Sequence, residues 1–109
     1  MHKVQIKPLT ANRAWRGRRY KSDDYKQYER DLGFLLPNIE VPEGKLQVHY
    51  IFGFSYSGSD YDNAIKQFQD VASKKYGFND NKIYRALIEK VDVKKGEEFI
   101  QFEIKEYEK

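Results

Sequence analysis

An α+β domain, with helices packed on one mixed β-sheet and elements in the order β-α-β-α-β-β, is the fold class this sequence predicts. Three observations predict it. Apolar residues recur at helical spacing in two segments: Tyr25, Tyr28 and Leu32 in one, Ile65, Phe68, Val71 and Ala72 in the other. Alternation marks "KLQVHYIFGFS" and "EFIQFEIKEYE" as half-buried strands. Helix-like and strand-like segments are interleaved until the end of the chain, where two strand-like runs follow one another.

Taken in order, "HKVQIKPL" places Val4 and Ile6 on one side of a first strand that Pro8 closes. "TANRAWRGRRYK" has no period and contains Gly17, which predicts a loop. Ser22 is a candidate N-cap, and Asp23 and Asp24 put negative charge in the first turn, where the helix dipole favours it. The first helix covers about 23–36, its apolar stripe ends at Leu35 or Leu36, and Pro37 stops it. After the turn-rich "PNIEVPEG", a strand puts Leu46, Val48, Tyr50, Phe52 and Phe54 on one face and Gln47, His49 and Ile51 on the other. "YSGSD" is a loop, and a second helix runs from Asp62 to about Tyr76, ended by Gly77 at a C-cap position. "NDNKIYRALIEKVDV" begins with turn residues and becomes a strand. Lys94-Lys95-Gly96 then makes a hairpin turn into a last strand with Ile100, Phe102 and Ile104 inward.

The 109 residues suit a single domain, 1–109, with one modest core. A charged content of 34% leans towards disorder, but 16% aromatics and the apolar strand-like runs outweigh it. Without cysteine, disulfides, thiolate zinc sites and cysteine nucleophiles are excluded. No apolar run approaches the roughly 18 residues of a membrane span, and the N-terminus lacks a signal-like apolar stretch. A soluble, cytoplasmic protein with no membrane partner is expected.

The net charge of +3 is modest, but the charge is uneven. Arg13, Arg16, Arg18, Arg19 and Lys21 sit together with no acid among them, interleaved with Trp15 and Tyr20. A solvated loop and a nucleic-acid contact both fit that composition. Against this basic background, "SDYDNAIKQ" concentrates acid just ahead of a helix. If the chain is extended there, Asp60 and Asp62 point the same way. One reading is an ordinary helix start, with Asp62 as an N-cap worth about 1 kcal/mol. It leaves Asp60 as a loop residue and says nothing of Lys66, which shares a helix face with Asp62.

The other reading is a metal site, and it gains from Asp80. The ends of the second helix are about 20 Å apart at roughly 1.5 Å per residue. Asp80 therefore joins the pair only if the chain folds back past the helix or if it comes from a symmetry-related subunit. Carboxylates so gathered repel one another unless a cation neutralises them. Oxygen-only ligands suit magnesium or manganese, which bind through a few carboxylates, waters and the phosphate oxygens of a substrate. Such a centre supports in-line attack of water on phosphorus, with Lys66 offsetting charge on the phosphoryl oxygens.

Three groups of residues occur in order along nearly the whole chain. Pro8, Thr10, Asn12 and Arg13 lead into the basic, aromatic "AWRGRRYKS". Asp60-Tyr61-Asp62-Asn63-Ala64-Ile65-Lys66 follows, with Asp70 further along the helix. Asn79-Asp80-Asn81-Lys82-Ile83 then opens a strand that carries Lys90. In this arrangement the chain resembles the RusA family of Holliday junction resolvases, small endonucleases common in phages and prophages. It departs from the family at Asn79, where an acid is usual. The resemblance implies that Asp60, Asp62 and Asp80 hold Mg2+, with Mn2+ as a substitute, and that Lys66 is needed for cleavage. It also implies DNA contacts from Asn12, Arg13, Arg16, Arg18, Arg19, Lys21 and Lys90. A homodimer is implied too, since a two-fold protein presents two sites for symmetric cuts, with part of the site built across the interface. No organic cofactor is expected, and the setting is the host cytosol if the chain is phage-encoded.

Other residues have plainer readings. His49 is expected to face solvent, Glu89 to form a cross-strand ion pair, and Asp70 to orient Lys66 along the helix face. Trp15 has two open readings, a core residue or a stacking platform for an exposed base, and Tyr20 shares the second. Ser57, Ser59 and Ser73 have no histidine at an evident spacing, so serine-nucleophile chemistry has no support. The functional expectation is a metal-dependent endodeoxyribonuclease resolving four-way DNA junctions by paired nicks in recombination and repair. The alternatives are a branched-DNA-binding protein without catalysis and a small interaction domain whose acids are caps.

Overall fold

The structure, a computed structural model, describes residues 1–9, 15–16, 20–21, 23–59 and 61–109. Its elements are β1 (His2–Val4), β2 (Trp15–Arg16), β3 (Tyr20–Lys21), α1 (Asp23–Leu35), β4 (Leu46–Phe54), α2 (Tyr61–Tyr76), a 3-10 turn (Asp80–Lys82), β5 (Ile83–Asp92) and β6 (Phe99–Glu106). Two helices pack on a four-stranded mixed sheet of order β1-β6-β4-β5, the α+β class expected. β5 runs parallel to β4, whereas β6 runs antiparallel to both β4 and β1.

The apolar pattern explains the layers. Leu46, Val48, Tyr50, Phe52 and Phe54 of β4 are all buried and meet Ile100, Phe102 and Ile104 of β6, as their alternation predicts. Tyr25, Tyr28 and Leu32 of α1 cover that face, with Ala64, Phe68, Val71 and Ala72 of α2 beside them. Leu36, rather than the half-exposed Leu35, completes the stripe of α1. The helices are also tied to each other. Lys74 lies 3.3 Å from Glu29 in a partly exposed pair, worth at most about 1 kcal/mol. Gly77 ends α2 with φ +72, and the Phe78 amide reaches back to the Ser73 carbonyl at 3.1 Å, the six-to-one closure that glycine permits.

Three expectations need correction. The C-terminal strands do not form a hairpin. The Lys94–Glu97 turn exists, closed by the Glu97 amide on the Lys94 carbonyl, but β4 lies between β5 and β6. The reason lies in their composition. β6 offers an unbroken apolar inner row and takes an interior position, while β5 presents Tyr84, Leu87 and Val91 to solvent and Lys90 on its inner side, which only an edge tolerates. The link therefore passes over the end of β4, pinned by the Val93 amide on the Phe54 carbonyl at 2.9 Å. Gly53 gives it room, since a Cβ there would meet the Phe99 ring at 2.5 Å.

The second correction is at the N-terminus, where strand pairing stops at Val4, while Pro8 and Leu9 are buried beyond it. The third concerns the stretch read as a loop. It carries a two-stranded ribbon, Trp15 opposite Lys21 and Arg16 opposite Tyr20, in strands too short to show alternation. The Ser22 cap lies outside the described residues.

Buried and partly buried tyrosines make the fold sensitive to base. Burial pushes the Tyr76 phenol up to about 12, and its hydroxyl donates to the Pro37 carbonyl at 2.6 Å. Burial also raises Tyr28 and, with the charge of Asp80 adding to it, Tyr50. The neutral phenols are favoured by folding, so their contribution is whole below the unfolded value of 10 and is lost as pH climbs from there towards 12. The melting temperature is expected to fall steeply above about pH 10, and less steeply in Tyr76→Phe. Melts recorded across that range check it.

Candidate functional site

The carboxyl end of β4 and the amino end of α2 meet at the turn Ser55–Ser59. In a β-α-β unit of parallel neighbours this is where ligand crevices form, because the strand stops and the helix presents unpaired amides. Here α2 begins at Tyr61, so Asp62 stands inside the first turn rather than at the cap, where the dipole still favours its charge. Asp62 and Lys66 are both exposed and one turn apart on the solvent side of α2, opposite the buried Ala64 and Phe68. Among the described residues neither takes part in an ion pair, and Asp70 makes none with Lys66. Asp60 lies outside the described residues.

A cleft of about 670 Å3 opens beside this turn, lined by Tyr28, Phe54, Tyr56, Ser59, Asn63 and Glu98 among others. One wall is braced by Glu98, which accepts from the Ser55 hydroxyl and the Gly96 amide, both at 2.8 Å. Its own backbone N–H first, then Ser55, holds that carboxyl below its ordinary range. Tyr56 is 70% exposed, an aromatic face free at the rim.

Asp80 is elsewhere. It opens the 3-10 turn after α2, and β5 then starts with Ile83 opposite Leu46, the first residue of β4. Asp62 and Asp80 thus flank a helix of 16 residues, about 24 Å along its axis. The Asp80 charge bears instead on the Tyr50 hydroxyl, which donates to Gln69 at 3.1 Å. Within one chain the structure does not bring Asp80 to Asp62. Among the described residues, no three His, Asp or Glu side chains stand close enough to hold a metal together. Asn79, where the resembled family has an acid, acts locally. Its Oδ1 accepts from the Asn81 amide at 3.0 Å and caps the 3-10 turn. An aspartate would do the same.

The predicted DNA-contacting residues divide in three. Asn12, Arg13, Arg18 and Arg19 lie outside the described residues, and Arg16 and Lys21 belong to the β2–β3 ribbon. Lys90 is half-buried on the inner side of β5, and its ammonium donates to the Ser57 and Ser59 carbonyls at 2.5 and 2.7 Å. This contact was invisible in the sequence, because it joins residues that only the parallel register of β4 and β5 brings together. His49 is half-buried and lies 3.3 Å from Glu89, the cross-strand pair expected of Glu89, on the sheet face away from the helices. No helix among the described residues is long and apolar enough to cross a membrane. No family model matches the chain, and no curated protein matches it.

Proposed function

We propose that this chain is a metal-dependent endodeoxyribonuclease that resolves four-way DNA junctions, acting as a homodimer in recombination and repair. The observation that carries the reading is the pairing of Asp62 with Lys66 at the carboxyl end of β4: a carboxylate and an ammonium on one exposed helix face, without ion-pair partners among the described residues, beside a cleft. Charges left unpaired in this way are available to a charged substrate. Asp60 and Asp62 would hold Mg2+ or Mn2+, and an unpaired carboxylate at the start of a helix fits oxygen coordination of these hard cations. When bound, the ion supplies a water acidic enough to attack phosphorus and a counter-charge for the leaving oxygen. Lys66, one turn along, lies where it can meet the phosphoryl oxygens and favour the charge that builds on them.

Because Asp80 stands at the far end of α2 from Asp62, a site that uses both would have to be completed across a two-fold axis, with Asp80 of the partner subunit beside Asp62. Two such sites per dimer match two symmetric cuts. The arginine-rich stretch and Lys21 would supply phosphate contacts whose affinity falls as salt rises. The test is cleavage of an end-labelled four-way junction beside linear duplex of the same sequence, with magnesium, manganese or EDTA. Paired nicks on the junction alone, abolished by EDTA, are expected. Tight junction binding with no nick under either metal would instead mean a binding platform, and neither binding nor cutting would leave Asp62 as a helix start.

A further inference from the structure

We propose that Lys90 is a positioning residue for the turn that delivers the chain into α2, and not a phosphate contact. The inference rests on the endonuclease reading for its catalytic consequence, but its geometry stands alone. Lys90 pairs in register with Phe52 on β5, so its stem leaves the edge strand on the helix side of the sheet and passes the Phe54 ring, with Nζ 5.8 Å from the ring centroid. Its Nζ then donates to two backbone carbonyls, those of Ser57 and Ser59. These flank Gly58 in a turn that, among the described residues, is otherwise closed by one backbone bond, the Ser59 amide on the Tyr56 carbonyl at 3.1 Å.

The consequences follow from peptide geometry. The Ser59 carbonyl belongs to the planar peptide that leads out of the turn, two residues before α2 begins, so holding its oxygen fixes the direction in which the chain enters the helix. A single ammonium thereby ties the carboxyl-terminal part of β5 to the turn that joins β4 to α2, the helix on which Asp62 stands. These contacts occupy two of its three N–H donors. A lysine that served DNA would point its head to solvent. This one turns inward, and a loop free of such a hold would let the Asp62 carboxylate wander relative to the cleft.

The test compares Lys90→Met, which keeps the apolar stem, with Lys90→Arg, which can still span two carbonyls. Three readouts are taken: the Mg2+ concentration for half-maximal junction cutting, the slope of log affinity for the junction against log salt, and hydrogen exchange at the Ser59 amide. Lys90→Met is expected to raise the magnesium half-point about tenfold, the usual scale for losing a residue that supports metal ligands, and to leave the salt slope unchanged. It should speed Ser59 exchange about tenfold or more. Lys90→Arg should restore all three to near wild type. A salt slope lowered by about one, with the magnesium half-point unmoved, would make Lys90 a phosphate contact and overturn the proposal. Exchange decides the matter even if the wild-type chain cuts no DNA: unchanged Ser59 protection in Lys90→Met overturns the hold, whereas its loss establishes the hold and leaves only the endonuclease reading to fall.

Discussion

Asp62→Asn is expected to lower junction cutting by about a thousandfold or more while leaving junction affinity and melting temperature close to wild type, the scale seen when a group acting on the reacting centre is removed. The expected separation of activity from stability comes from where Asp62 stands. It is exposed, has no ion-pair partner among the described residues and supports no packing, so an isosteric amide removes only its favourable placement in the helix dipole, about 0.3–1 kcal/mol. Single-turnover cleavage, gel retardation and a thermal melt on the same preparation check all three. The variant also tests the shared site. If Asp62 of one subunit works with Asp80 of the partner subunit, a mixed dimer of Asp62→Asn and Asp80→Asn chains holds one doubly altered site and one intact site. Mixing two inactive variants should then restore nicking of one strand but not paired resolution. If each site lies within one chain, both stay altered and mixing restores nothing.

Phe68→Ala should be the most destabilising of the simple core truncations, at about 3–5 kcal/mol. Phe68 is fully buried at the centre of α2 and meets rings from two strands: Tyr50 at 5.0 Å and Phe52 at 6.2 Å edge-on, and Phe102 at 5.4 Å. Those strands are each paired on both sides, which keeps the sheet from yielding, so the cavity cannot close without moving the helix that carries Asp62 and Lys66. Against a total stability of about 5–15 kcal/mol for a domain of this kind, the loss should lower the melting temperature by roughly 12 °C or more. Phe34, 88% exposed on α1, is the control: its alanine variant should stay within about 0.5 kcal/mol of wild type. Urea unfolding of the two variants side by side gives the comparison.

The difference between those two phenylalanines shows what the sequence carries and what it does not. Periodicity is a local signal, so the helices, the inner row of β4 and the inward Ile100, Phe102 and Ile104 were legible, as was the glycine that ends α2. Strand order is a contest between distant segments for one central position, and no window of residues contains it. The hairpin reading of β5 and β6 failed for that reason, and the turn residues Lys94–Gly96 are compatible with either route. Gln67 was equally illegible. Its side chain is 1% exposed at a helical position that periodicity assigns no polar group, and neither end of its amide has a hydrogen-bond partner among the described residues. At the candidate site, Asp62 and Lys66 could be placed on one helix face by counting. The remoteness of Asp80 depended on which way the chain turned after Gly77, and the hold of Lys90 on the Ser57–Ser59 turn on the parallel register of β4 and β5.

The sheet order also sets a timetable for the nascent chain. Among the described residues β1 pairs only with β6, through pairs such as His2 with Phe102, and β6 in turn closes the open side of β4. During synthesis β1 therefore waits until β6 has emerged, while one edge of β4 stays bare. Contacts so distant along the chain slow folding, because the entropy of the large loop must be lost before its pairing is gained. A polypeptide stalled before Phe99 would leave the inner faces of β4 and both helices uncovered on that side, open to other chains and to proteases. Translation pauses just before Phe99 would thus be more harmful than pauses before Leu46, and β6 acts as the keystone of the sheet.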